Sequence, residues 1–273
     1  MPSLYRHFAP VPSGQVNEAA PESAGVRWAL DVTRRTPVIA HRALPMSHNA
    51  HRRFARREDL GLTPREFAIL QRLATPQQIQ SFLNAICINH EMDGETILSV
   101  REVLAQRRAH CIEAAFVGAC ALWVHGEPPM VMHLDCAATD YPHVVALFRR
   151  SGAWGAVSKS NGATLRYRDP IYRSLRELAM SYFHEYSDRH GHKTLRSYSG
   201  AFDLRRVDAK LWVTNVRACL ETSDRLASAR HYPLVTSRQE HLLVRRDRFE
   251  RHAAKTVEYP LPAEKTARKS SVG

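Results

Sequence analysis

The sequence contains no CxxC pair; its five cysteines stand singly at positions 87, 111, 120, 136 and 219. An odd number of scattered thiols in a chain of 273 residues argues against a disulfide framework, and reduced cysteines are the default. A continuous apolar run is also missing: Met1 to Ala24 mixes prolines with polar residues, so neither a secretory leader nor a membrane span is expected. A cytoplasmic location is the corresponding expectation. Acidic residues are the minority charge, 27 against 39 lysines and arginines, which leaves a net charge of +12. That excess favours polyanions and predicts weak, non-specific attraction to nucleic acid rather than a dedicated site. Much of it sits in short clusters, Arg52 to Arg57, Arg245 to Arg248 and the Lys265 to Lys269 tail, where solvated termini are the simpler reading. No internal repeat is present. With 44% hydrophobic and 8% aromatic residues, the chain is too apolar to be disordered throughout.

Residues 1–58 are rich in Pro, Ala, Ser and Arg without a sustained apolar period, and a loose basic arm is expected there. At Thr63-Pro64-Arg65-Glu66 the pattern changes to an N-cap, a first-turn proline and an early acidic residue, followed by Phe67, Ile69, Leu70 and Leu73 at helical spacing. Thr75-Pro76 signals a second helix carrying Ile79, Phe82, Leu83, Ile86 and Ile88, and a third covers Ser99 to Gln106 after the break at Asp93-Gly94. A helix beginning near Cys111 is apolar nearly all round and rich in small residues, the pattern of burial on most sides, and stops near Gly126. Strand-like runs follow at Met130–Cys136, His143–Phe148 and Trp154–Ser158, then a helical period from Tyr172 to about Tyr186. These elements predict an α+β fold: a helical N-terminal part packed on an antiparallel sheet. The core is expected over residues 59–200, with an extension and a charged, flexible tail over 201–273.

A thiol attacks only as thiolate, and a helix start stabilises that anion through its unpaired N–H groups. Cys111 has this position, whereas Cys120 and Cys87 sit among apolar neighbours and read as small core residues. A nucleophilic cysteine also needs an imidazole, and His143 opens a predicted strand. A turn centred on Arg150 and Ser151 would pair Phe148 with Ala153 and set His143 opposite Ser158, which could then orient the ring. Asp169, Asn161 and Asp135 are the alternatives for that role; a carboxylate would also stabilise the imidazolium, and Asp169 could end a further strand near the ring.

Three segments carry a family resemblance: Arg108-Ala109-His110-Cys111-Ile112-Glu113-Ala114-Ala115, then Leu122 to Pro129, then His143 to Phe148 followed by Gly152-Ala153-Trp154. In their order and spacing they resemble the transglutaminase-like superfamily, over about half the chain. The resemblance implies a papain-like core with Cys111 as nucleophile and His143 as base, acting on a protein or peptide-like amide or ester through a thioester, with no cofactor and no metal. Hydrolysis by a peptidase or amidase is preferred to amine transfer. The family's aspartate position, four residues after Trp154, holds Ser158. Asp169 would then replace it, or serine suffices, or the chain is a catalytically degenerate module that binds an anionic partner.

Other residues admit blander readings. His133, Asp135, Cys136 and His143 include metal-ligand types, but on a strand His133 and Asp135 point away from Cys136. Tyr182, His184, Glu185, Tyr186, His190 and His192 make a polar aromatic patch at a helix end, read as an amphipathic helix with solvated histidines near its C-terminus in preference to a substrate-binding surface. Arg166, Arg168, Arg173 and Arg176 form either a solvated basic face or a contact for an acidic substrate or nucleic acid. Lys193 to Ser199 carries no evident mechanism.

Overall fold

The computed structural model describes residues 53–92 and 94–261; the expectations for residues 1–52 and for the Lys265 to Lys269 tail lie outside them. Residues 53–58, assigned to the loose arm, pack on the core: Ala55 is buried and its N–H donates to the Trp123 carbonyl (3.1 Å). A short helix α1 (Arg57–Leu60) follows. Helices α2 (Pro64–Gln71) and α3 (Pro76–Asn84) start at the expected signals, Thr63 and Thr75 each closing a capping box with Glu66 and Gln78. The α3 pattern overran its end. Ile86 lies beyond the helix, Ile88 belongs to strand β1 (Cys87–Ile88), and Cys87 is exposed rather than in the core. Helix α4 (Val100–Gln106) is capped by Ser99, and β2 (Arg108–Ala109) pairs in parallel with β1. Helix α5 (Cys111–Val124) then runs with all residues from Ile112 to Trp123 buried, as a composition apolar except for Glu113 favours.

Strands β3 (Met130–Cys136), β4 (His143–Arg150) and β5 (Ala153–Val157) form an antiparallel meander. The hairpin register is two residues away from the one expected. Ser151 and Gly152, with φ of +49° and +81°, make the turn, so Arg150 pairs with Ala153 and Phe148 with Gly155. Two-residue hairpin turns favour positive φ at both positions, which Gly152 accepts readily. Because a shift of two preserves the face, His143 and Ser158 still share one side.

Strand β6 (Arg168–Tyr172) takes Tyr172, which was expected to begin a helix, and α6 is confined to Leu175–Ser181, followed by a 3₁₀ turn, Phe183–Glu185. The sheet continues past residue 200, where the core was expected to end. After β7 (Leu195–Ser199) come β8 (Phe202–Asp203), helix α7 (Leu220–Ala227) and β9 (His231–Pro233). The strand order is β6-β5-β4-β3-β7-β9, with β8 pairing β3, all antiparallel. The fold is therefore α+β.

Alternate residues of each central strand face two cores. Val131, Val144, Ala146, Phe148 and Val157 join the helices around α5, while Met132, Val145, Leu147 and Ala156 join α6. The α5 helix approaches closely at Gly118, where an added Cβ would lie 3.0 Å from that of Ala146. This contact locks the helix against the sheet.

Candidate functional site

Cys111 is the first residue of α5, so the N–H groups of that turn lack intrahelical acceptors and point toward any anion placed there. His143, the first residue of β4, lines the same cavity of about 430 Å³. The rest of its wall includes Tyr141, Ser160, Leu165 and Tyr186. A larger cleft, about 610 Å³, lies among Arg189, Arg248, Arg251 and Lys255, with no cysteine, serine or threonine in its lining.

A chain of hydrogen bonds orients the His143 ring. Its Nε2 lies 2.7 Å from Ser158 Oγ, and that hydroxyl donates to the Leu165 carbonyl at 2.6 Å. With its only proton given to Leu165, the serine oxygen must accept, which fixes the ring as the Nε2–H tautomer and leaves Nδ1 free to exchange a proton with the thiol. Ser158 is itself held from α3: the Gln80 carboxamide donates to its carbonyl (2.8 Å) and accepts from its N–H (3.0 Å). Lys159 beside it is buried, its Nζ donating to the Leu83 and Ile86 carbonyls at 2.8 Å each, where α3 ends.

A second histidine adjoins the thiol. His110 Nδ1 lies 3.9 Å from Cys111 Sγ, and its Nε2 is 3.3 Å from carboxylate oxygens of both Glu91 and Glu113. Burial would suppress the charge on His110, but the Glu113 charge and its bonds to Cys111 and Glu91 prevail and raise its pKa well above 6.5. Burial likewise opposes ionisation of Glu91, and the His110 and Thr96 contacts overcome it, bringing its pKa down to about 2. For Cys111, burial alone would raise the thiol; hydrogen bonds and charge from His110 and His143 outweigh it and hold the pKa well below 9.0. The thiolate is thus flanked by two imidazoles.

Glu91, His110 and Glu113 could offer three ligand atoms to a metal. However, Glu113 Oε1 already accepts from Leu98 N (2.7 Å), Asn89 Nδ2 (2.9 Å) and Thr96 Oγ1 (3.2 Å), and Oε2 accepts from His110 N (2.7 Å). With those lone pairs engaged, the imidazolium is the cation that fits the cluster.

Of the residues singled out in the sequence, Cys111, His143 and Ser158 come together. Of the alternatives for the third position, Asp169 is exposed on β6 and Asp135 accepts from Ser197 Oγ (3.2 Å), while Asn161 lines the cavity but its carboxamide is bound to the main chain of Tyr259. His133 pairs with His231 (2.9 Å) rather than with Asp135 and Cys136, and burial beside that second ring lowers its pKa to about 4. In the aromatic patch at the end of α6, Tyr182 and Tyr186 are buried while His184 and His190 are exposed. Arg168 pairs with Glu185 at 2.6 Å and Arg166 with Glu258 at 2.8 Å. His110, Glu91 and Glu113 were not anticipated; the signal for two of them was the His-Cys-x-Glu spacing of a capping pair at the helix start.

No protein-family model matches the chain, and no curated protein matches it. What the site can do rests on its own geometry.

Proposed function

We propose that the chain is a transglutaminase-like cysteine enzyme that hydrolyses an amide or ester through a thioester. The observation that carries this reading is the hydrogen-bond chain from Leu165 through Ser158 to His143, which presents Nδ1 to a thiol held ionised at a helix start.

In this reading the Cys111 thiolate adds to the carbonyl carbon, forming the C–S bond and an oxyanion that N–H groups of the first turn of α5 receive. Collapse breaks the bond to nitrogen or oxygen, and His143 gives its Nδ1 proton to the leaving group. A water then passes a proton back to His143 and attacks the thioester; the C–S bond breaks and the thiolate is restored. The His110 imidazolium stays charged throughout, so the anion keeps a counter-ion after His143 has surrendered its proton. Ser158 with the Leu165 carbonyl stands in for the orienting carboxylate, supplying direction without negative charge.

p-Nitrophenyl acetate tests the proposal. The expected result is a burst of one p-nitrophenolate per protein with an acetyl adduct on Cys111 by mass spectrometry, absent in Cys111→Ala. A burst that survives this substitution would sink the reading.

The basic cleft favours a second reading, an anion-binding module that needs no nucleophile. Its exposed Arg189, Arg248, Arg251 and Lys255 would attract nucleic acid. Affinity that falls steeply with salt and is unchanged in Cys111→Ala would favour the module over the enzyme.

A further inference from the structure

The cavity holding Cys111 has a rim, Lys159 to Asn161, and along it runs the segment Val257–Tyr259, downstream of Ala254, which lines the cavity. The Asn161 carboxamide grips one residue at both main-chain groups, its Nδ2 donating to the Tyr259 carbonyl (2.9 Å) and its Oδ1 accepting from the Tyr259 N–H (2.9 Å). The Asn161 carbonyl accepts from Glu258 N (2.8 Å), and Gly162 bridges Val257 in antiparallel fashion. These contacts hold main-chain groups of the segment without regard to side chain.

Two contacts read side chains. Arg166 meets the Glu258 carboxylate at 2.8 Å while donating through Nε to the Gly162 carbonyl (2.9 Å), and the Tyr259 hydroxyl donates to the Ile86 carbonyl (3.2 Å) with its ring 5.5 Å from Lys159 Nζ. Hydrophobic burial does little for the segment, since Val257 is 45% and Leu261 37% exposed. Polar and main-chain recognition holds it, and that is how a ligand is held.

We propose that this rim is a subsite for a peptide carrying an acidic residue followed by an aromatic one, and that Val257–Tyr259 fills it in cis as a resident competitor. The link to catalysis rests on the acyl-enzyme reading above; the binding itself does not. Being covalently attached, the segment acts at a high effective concentration, so an external peptide must displace it before it can bind.

The test uses the full chain and a fluorescein-labelled peptide of the sequence Thr256 to Leu261, followed by fluorescence polarisation. In Glu258→Arg/Tyr259→Pro the ion pair with Arg166 becomes a repulsion and the N–H given to Asn161 is gone, so the resident segment is released. The peptide should bind this variant at least about tenfold more tightly than it binds the wild type. Adding Asn161→Ala should return binding to the wild-type level. A peptide with arginine at the glutamate position should bind the released variant about tenfold more weakly, and Arg166→Glu should restore it. Circular dichroism verifies folding, and Glu258→Arg alone carries the comparison if the proline variant does not fold. Equal affinity for wild type and released variant, no binding to the released variant, or indifference to Asn161→Ala each overturns the proposal. The readout needs no nucleophile, so a missing ester burst with intact peptide binding would remove the enzyme reading and leave the subsite standing.

Discussion

Cys111 and Cys120 lie on one helix, nine residues apart, and their thiols are driven in opposite directions. Burial raises both. At Cys120 nothing opposes it, because the middle of α5 is surrounded by apolar side chains, and its pKa climbs far above 9.0. At Cys111 the hydrogen bonds and charges of two imidazoles, His110 and His143, reverse the sign. Depth in the protein therefore does not decide whether a buried thiol is inert; the dipoles and charges within hydrogen-bond reach do.

The largest expected effect comes from comparing the two thiols directly. With iodoacetamide at pH 7, Cys111 should be alkylated at least about 1000-fold faster than Cys120, since only the thiolate reacts and Cys120 is almost wholly protonated there. Peptide mapping by mass spectrometry reads the ratio. Comparable rates would erase the contrast. Next in size is Glu113→Ala, which removes the acceptor for four donors and leaves a buried His110 with one carboxylate fewer. A loss of about 3–5 kcal/mol in urea unfolding is expected. By contrast Cys120→Ser, which buries one hydroxyl in the apolar half of the same helix, should cost about 1–3 kcal/mol.

The difference between these halves also explains what could be read from the sequence. Helix starts at Thr63, Thr75 and Ser99 were legible because a cap and its partner lie within three residues, and β3 because its apolar run is bounded by turn formers. The His143–Ser158 link was legible although the turn was misplaced, since a slip of two residues keeps the face. Glu91 was not, because it comes from a loop twenty residues before Cys111 and reaches His110 only through the tertiary fold. Strands β7 and β9 were missed for a related reason. Both are short, and their sequences, Leu195–Ser199 and His231–Pro233, lack a clear alternation of buried and exposed residues. The strap at Asn161 depends on pairing across almost a hundred residues, which no local pattern encodes.

His110 gives the contrast a pH axis. The Cys111 alkylation rate should stay flat as pH falls from 9 toward neutrality, dropping only when pH passes the lowered thiol pKa. In His110→Ala that drop should move to higher pH and cut the rate at pH 6 by about tenfold, the equivalent of one pKa unit. Linkage predicts a stability signature as well. The His110 pKa is raised in the fold, so its contribution is complete below about 6.5 and fades as pH rises through the raised value. Glu91 is lowered to about 2, so its contribution is present above about 4.5 and is lost as pH falls toward 2. Glu91→Gln should flatten the acid limb of the wild-type stability profile while leaving Cys120 unreactive.

The smallest effect belongs to Ser158, and it tests whether direction alone suffices at His143. In Ser158→Ala the ring loses its Nε2 acceptor, while the Leu165 carbonyl loses a donor but keeps its place through the Leu165 N–H bond to Glu185 (2.7 Å). One neutral hydrogen bond is worth about 1 kcal/mol, so the ester burst should slow by about fivefold with little change in the pH dependence of alkylation. Ser158→Asp supplies charge as well as direction. It should raise the burst rate if a carboxylate can replace the serine–carbonyl relay, but the Leu165 carbonyl oxygen, 2.6 Å from the present Ser158 Oγ, repels a carboxylate and must first turn away. A Ser158→Ala variant with wild-type burst kinetics would mean that packing against Tyr182, whose ring centre lies 6.4 Å from that of His143, orients the base instead.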